Sequence, residues 1–143
     1  MTEPQILYKS LHPSLYTLAD DGRSLNFHFA RCSHCGGLSF PANAPGCMHC
    51  GAVIEEADKL LLPGEGTLLE CVTLHVALVP GMPTPSIAGD ILLAEGVVEE
   101  GVIAVSDESV LKPGMRLKAV AEMEPGEGVY ACRFVPMQEE VSQ

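Results

Sequence analysis

The sequence predicts a mainly β protein in which short N-terminal helices precede a metal-binding ribbon and a five-stranded barrel. Two observations predict this class: a pair of Cys-x2-Cys motifs, and a series of β-type apolar runs divided by glycine and proline after Gly51. A chain of 143 residues has room for about one domain or two small lobes. The expected segments are an N-terminal helical segment with a leading strand (1–30), the ribbon (31–62), the barrel (63–137) and a tail (138–143).

The N-terminal segment carries apolar residues at roughly helical spacing. This spacing predicts one or two short amphipathic helices, interrupted at Pro13 and ended by Asp20-Asp21-Gly22. Alternation over 24–30 then predicts a strand that leads into Cys32. The residues with helical spacing are Ile6, Leu7, Leu11, Leu15 and Leu18.

Four of the six cysteines form two matching turns. Cys32 and Cys35 are separated by two residues, as are Cys47 and Cys50, and both turns read C-x-H-C-G. Two facing turns of this kind supply a closed tetrahedral S4 site for Zn²⁺, although iron suits the same four thiolates. A site closed by protein leaves no position for water or substrate, so we expect a structural metal. The glycine after each second cysteine allows positive φ, which turns backbone N–H groups towards the sulfurs.

The histidines inside the turns, His34 and His49, are expected to be solvated because four cysteines already fill the tetrahedron. No glycine-rich phosphate loop, G-x-S-x-G motif or histidine–carboxylate cluster occurs in the sequence. We therefore predict no catalytic residue in this chain.

The second half of the chain predicts five strands in about 75 residues, a pattern that fits a small barrel of the OB type. Hairpin turns are expected near Glu99-Glu100-Gly101 and across Glu124-Pro125-Gly126-Glu127. The predicted strands are Gly66–Leu78, Asp90–Val98, Val102–Val105, Met115–Met123 and Gly128–Val135.

Charge excludes one class of partner. The net charge is −11, with six acidic and four basic residues up to Leu60 and thirteen and four thereafter. A C-terminal half at −9 lacks the cations that neutralise phosphates, so nucleic acid is not expected as a partner. No apolar run is long enough to span a membrane and the N-terminus lacks the pattern of a signal peptide, which predicts a cytoplasmic protein without membrane contact.

An apolar composition favours burial against a larger protein. Apolar residues make up 47% of the chain, charged residues only 19%, and the mean hydropathy is +0.22. The proline-rich stretch 79–86 is either a stiff connector or a loop that faces a partner or lines a tunnel. In the second case Met82 and Pro83, together with Phe40 and Pro41 between the cysteine turns, would contact the partner or an acyl chain.

These features together resemble one family. The two C-x2-C-G turns, Phe40-Pro41 between them and the Leu111–Met115 turn in an acidic barrel are similar to the rubredoxin-like zinc ribbon plus OB-fold family, a domain of unknown function. The resemblance covers about residues 10–137 and is most specific at the four cysteines. Among relatives, the small subunit of an aromatic-degradation thiolase, such as one that cleaves benzoylsuccinyl-CoA, is similar to this chain.

The resemblance implies a non-catalytic zinc subunit that forms a hetero-oligomer with a thiolase-like enzyme and helps to hold or channel its coenzyme A thioester. An acyltransferase or a hot-dog-fold hydratase is the alternative partner. Two further alternatives are an RNA-associated ribbon and OB module, against which the charge argues, and a rubredoxin-type electron carrier, which would be red when it holds iron.

Overall fold

The computed structural model describes residues 8–124 and 126–137. Within these ranges the chain is built mainly from strands, and its helical parts are two 3-10 turns of three residues each. Along the same ranges, no helix has the length and apolar character needed to cross a bilayer. The strands are β1 (Lys9–Ser10), β2 (Tyr16–Leu18), β3 (Leu25–Arg31), β4 (Leu38–Ser39), β5 (Lys59–Pro63), β6 (Glu65–Leu74), β7 (Ser86–Ala94), β8 (Val97–Val102), β9 (Arg116–Glu124) and β10 (Val129–Pro136), and the 3-10 turns are Glu56–Asp58 and Glu108–Val110.

The larger sheet has six strands in the order β1-β10-β9-β6-β7-β8. Its neighbours are antiparallel except β1 and β10, which run parallel. The sheet curls, because the chain leaving β8 returns to β10 through a parallel bridge between Ile103 and Phe134. The backbone N–H of Ala104 donates to the Phe134 carbonyl at 2.8 Å in the same place.

The smaller sheet is arranged around β3. Strand β5 pairs along one edge of β3, and β2 and β4 pair with opposite ends of its other edge. Gly64 then carries the chain from β5 into β6 in the larger sheet. A Cβ atom at Gly64 would lie 2.6 Å from the Phe27 ring and 3.0 Å from the Ala119 side chain, so this crossing requires glycine.

One apolar core joins the two sheets. Phe27 of β3 packs edge-on against Phe134 of β10, with ring centroids 6.1 Å apart, and contacts the Phe40 ring at 5.3 Å. Leu68 and Ile91 of the larger sheet have no exposed surface. Burial of this order contributes roughly 1.5–3 kcal/mol for each large apolar side chain, so the packing of the two sheets stabilises both.

The prediction of N-terminal helices is wrong where the structure describes the segment. Between residues 9 and 18 the chain forms strands β1 and β2, joined by bends and turns over 11–15, and Ile6 and Leu7 lie outside the described residues. Tyr16 is buried because β2 pairs with β3, and its ring centroid lies 6.4 Å from that of Phe27. The helical spacing of the leucines was therefore misleading, since pairing with distant strands decides the local conformation.

The boundaries of three predicted strands are also wrong: Asp90–Val98 is observed as Ser86–Ala94, Val102–Val105 as Val97–Val102, and Gly66–Leu78 ends early. The β7–β8 turn lies at Glu95-Gly96, where Gly96 has φ +77°, and β8 continues through the expected turn at residues 99–101. Gly101 fits inside the strand because a Cβ atom there would lie 2.7 Å from the Phe134 ring. Strand β6 ends at Leu74 rather than Leu78, since its partner β7 begins at Ser86, directly opposite Leu74. The predicted tail, 138–143, lies outside the described residues.

Candidate metal centre and apolar cavity

The four predicted cysteines come together in one cluster. Their Sγ atoms all lie within 4.8 Å of one another. The Sγ atoms of Cys32 and Cys50 are 3.6 Å apart, and those of Cys35 and Cys47 are 3.7 Å apart. Four sulfurs held tetrahedrally at a Zn–S distance of about 2.3 Å would be separated by about 3.8 Å. The cluster therefore has the size and donor set for one tetrahedral metal ion.

Both cysteine turns have the same backbone geometry. Gly36 and Gly51 have φ values of +79° and +83°, which confirms the expected positive φ of the glycine after each pair. The Gly36 N–H donates to the Cys32 carbonyl at 2.9 Å, and the Gly51 N–H donates to the Cys47 carbonyl at 2.8 Å. In each pair the first cysteine is buried and the second is exposed. The repeated sequence thus folds into repeated geometry.

Backbone donors favour the thiolate form, which is the form that binds a metal. The N–H of His34 lies 3.3 Å from Cys32 Sγ, and the N–H of His49 lies 3.3 Å from Cys47 Sγ. Backbone donation from His49 and then from Cys50 lowers the pKa of Cys47 to about 6. The buried hydroxyl of Ser39 on β4 accepts from the Met48 N–H at 2.9 Å and fixes the second turn against the small sheet.

His49 is exposed, as expected, but it also contacts two other parts of the structure. Its Nε2 donates to the Leu38 carbonyl of β4 at 2.6 Å. Its ring also lies between Gly37 and Gly96, where a Cβ atom would come within 2.7 Å and 2.8 Å of the imidazole. Sequence reasoning missed this contact because Gly96 belongs to the distant β7–β8 turn. The second cysteine turn is therefore connected directly to the larger sheet.

An apolar cavity of about 430 Å³ lies between the two sheets and the loop that follows β6. Phe27 and Phe134 form part of its wall from the two sheets. The structure brings Phe40 and Met82, two of the predicted contact residues, into the lining of this same cavity. The remaining two, Pro41 and Pro83, follow them in sequence and lie outside the lining.

The surroundings of the cavity disfavour charge. Burial raises the pKa of the Cys132 thiol to about 12 and the pKa of the Tyr16 phenol to about 12. The Glu99 carboxyl also has a raised pKa, caused by partial burial. All three side chains line the cavity. Glu99 and its neighbour Glu100 were missed at the sequence level because their position was interpreted as a hairpin turn.

The fold and the site define a mainly β protein with a four-cysteine cluster positioned to bind a metal ion and an apolar cavity beside it. No family model matches the chain, and no curated protein sequence matches it significantly. A chain of a solved structure described as "Ltp2-ChsH2(DUF35) aldolase" is similar in fold, with a TM-score of 0.60 and 20% identity. The match covers 78% of this chain and 84% of that one. At this identity the similarity shows a shared fold.

Proposed function

We propose that this chain is a non-catalytic, zinc-containing accessory subunit of a thiolase-like acyl-CoA enzyme. The observation that carries the proposal is an exposed apolar segment beside the cavity. Val72, Val76, Leu78 and Val79, at the end of β6 and in the loop after it, are exposed by 53%, 72%, 70% and 59%. Contiguous exposed apolar side chains of this kind mark interaction surfaces. The partner subunit would cover them.

The structural neighbour supports this proposal. Its description names a DUF35 protein together with an aldolase, and this chain shares its fold. The order of strands β6 to β10 and the bridge between Ile103 and Phe134 also support the OB-type barrel that the family resemblance implies. The narrower resemblance to a benzoylsuccinyl-CoA thiolase subunit has no support in the comparisons.

The proposed metal is structural zinc. The four cysteines would fill all four positions around a tetrahedral ion, and zinc bound in this way supplies folding energy rather than chemistry. The segment 31–62 has little core of its own, and the hydrogen bonds around Cys32 and Cys47 hold its shape. Purification tests this assignment. A colourless protein that contains zinc would support it, whereas a red protein that contains iron would indicate the electron-carrier alternative.

We place the acyl part of the thioester, and not its phosphates, against this chain. The cavity that Phe40 and Met82 line is apolar, which suits an acyl group. The net charge of −11 and the small number of arginines give the chain no evident means of holding the phosphates of coenzyme A. Those phosphates would be bound by the catalytic subunit.

A pull-down of the tagged chain from its native cell extract tests the proposal. We expect a thiolase-like enzyme in the bound fraction by mass spectrometry, and one zinc per chain by elemental analysis. Recovery of an acyltransferase or a hot-dog hydratase would retain the accessory role and change the partner. Recovery of RNA, or of the chain alone, would contradict the proposal.

A matched pair of substitutions tests the surface. Val76→Asp places a charge in the exposed segment, and Val53→Asp makes the same change at a valine with the same exposure on the ribbon, 73% against 72%. We expect Val76→Asp to lower the recovery of the partner at least tenfold, while Val53→Asp leaves it unchanged. Equal recovery with both variants would show that the segment is not the interface.

A further inference from the structure

We propose that the cavity accepts an uncharged apolar group and excludes an anionic one, so that the thioester handled by the complex has a neutral acyl group. This inference rests on the proposed function for the identity of the natural ligand. The selectivity itself is a property of the isolated chain, and it can be measured without the partner.

The size and walls of the cavity fit a small apolar molecule. Ligand cavities have volumes of about 300–1,000 Å³, and this one has about 430 Å³. The aromatic residues Phe27, Phe40 and Phe134 line it. Aliphatic residues, such as Leu74 of β6 and Met82 of the loop, line it as well. Transfer of an apolar ring from water to such walls is favourable.

The charge at the cavity has one sign. Among its lining residues in the described chain, Glu99 and Glu100 are the two that carry charge, and they are adjacent on β8. The cation next to the wall residue Cys132 is Arg133, and its guanidinium is paired with Glu122 at 2.8 Å. An anionic group in the cavity would thus lie near acidic residues and meet no compensating cation from the lining.

The other polar groups that line the cavity also favour a neutral ligand over an anionic one. Burial raises the pKa of Tyr16 and of Cys132, which keeps the phenol and the thiol uncharged at neutral pH. As neutral groups they offer no cation to an anionic ligand, and they tolerate a neutral ligand beside them. A benzoylsuccinyl group carries a carboxylate, so the inference argues against that particular substrate.

Two fluorescent probes separate shape from charge. N-phenyl-1-naphthylamine is neutral, and 1-anilinonaphthalene-8-sulfonate has the same rings with one sulfonate added. With the zinc-loaded full chain, we expect saturable binding of the neutral probe and at least tenfold weaker binding of the sulfonate. Absence of binding of the neutral probe, or equal affinity for both, would overturn the inference.

Substitutions that fill the cavity test whether the neutral probe binds inside it. Ala88→Leu fills the cavity from β7 and should weaken the neutral probe at least tenfold, whereas Ala104→Leu makes the same change at an exposed site outside the cavity and should have no effect. Met82→Trp fills the cavity from a loop and serves the same purpose if Ala88→Leu fails to fold. Unchanged binding in a folded cavity-filling variant would place the probe elsewhere and refute the assignment.

The charge argument has its own control. Glu99→Gln with Glu100→Gln should improve binding of the sulfonate about tenfold and leave the neutral probe unchanged. Glu95→Gln with Glu127→Gln removes the same charge from exposed sites outside the cavity and should change neither probe. If both double variants improve binding of the sulfonate equally, the effect comes from the net charge of the protein, and the proposed selection within the cavity is wrong.

The probe titrations and the pull-down can fail independently. If the pull-down fails and the titrations succeed, the proposed partner is rejected and the selectivity of the cavity is retained.

Discussion

His49 and Gly96 contact each other so closely that a Cβ atom on Gly96 would lie 2.8 Å from Cε1 of the imidazole. His49 belongs to the second cysteine turn, and Gly96 forms the β7–β8 turn with φ +77°. The metal centre and the larger sheet therefore meet at this point. Since Cys47 and Cys50 flank His49, the position of its ring depends on the turn that holds the metal.

Gly96→Ala should destabilise the protein by more than Gly81→Ala. Both glycines have positive φ, at +77° and +84°, so alanine is strained by about 1–2 kcal/mol at either site. A Cβ atom at Gly81 has open space, whereas at Gly96 it meets His49. Urea unfolding of the two variants measures the difference.

A double-mutant cycle tests the cause of that difference. In a His49→Ala background, which removes the ring, Gly96→Ala should have the same effect as Gly81→Ala. If Gly96→Ala remains equally destabilising without the imidazole, the contact between the two residues does not connect the metal turn to the sheet.

Metal content should depend on the clustered cysteines and not on the others. Cys47→Ser removes one of four ligands and should reduce bound zinc from one per chain to nearly none, with loss of structure in the ribbon. Cys71→Ser changes a cysteine of β6 outside the cluster and should retain full zinc. Elemental analysis after dialysis against a chelator compares the two, and zinc retention by Cys47→Ser would show that the cluster is not the metal site.

The metal cluster could be predicted because its information is local. The spacing of Cys32 and Cys35, repeated at Cys47 and Cys50, contains the ligand geometry within two tight turns. The glycine after each pair completes this pattern, and both glycines have the expected positive φ.

The cavity could be predicted only in part because its walls come from distant parts of the chain. Phe40 and Met82 were each selected as contact residues, but their meeting depends on how the two sheets pack. The sequence Glu99-Glu100-Gly101 predicts a turn because glycine between two β-type runs marks a turn. Their place in β8 is decided by pairing with β7, which places Glu99 opposite Ile91.

Met82→Asp should weaken the complex without releasing zinc. Met82 lies in the loop after β6 and lines the cavity, so an aspartate there places a charge at the proposed interface and beside the proposed acyl site. We expect the Kd for the catalytic partner to rise at least tenfold, while zinc content stays at one per chain. Met123→Asp on β9 is the control, because it adds the same charge outside the cavity. Unchanged affinity of Met82→Asp would identify the loop as a connector.

Stability should fall in alkaline solution because of one partly buried thiol, that of Cys132. Burial raises the pKa of Cys132 to about 12, from an ordinary value of 9.0. As the pH rises, the thiol loses its proton in the unfolded chain before it does so in the folded protein. The contribution of Cys132 to the free energy of unfolding is therefore complete below about pH 9 and declines towards pH 12. Between pH 8 and pH 10 the linkage amounts to about 1 kcal/mol.

The measurement is the free energy of unfolding in urea at pH 8 and pH 10, for the wild type and for Cys132→Ala. The alanine variant lacks the thiol and should lose about 1 kcal/mol less than the wild type over this interval. Tyr16, whose pKa is raised to about 12 from 10.0 by burial and then by the nearby Cys132 thiol, also lowers stability as the pH rises, so the alanine variant reports the thiol together with its effect on this phenol. An equal decline in the two proteins would mean that Cys132 is not held in its neutral form by burial, and the cavity wall that it forms would then be more polar than the structure indicates.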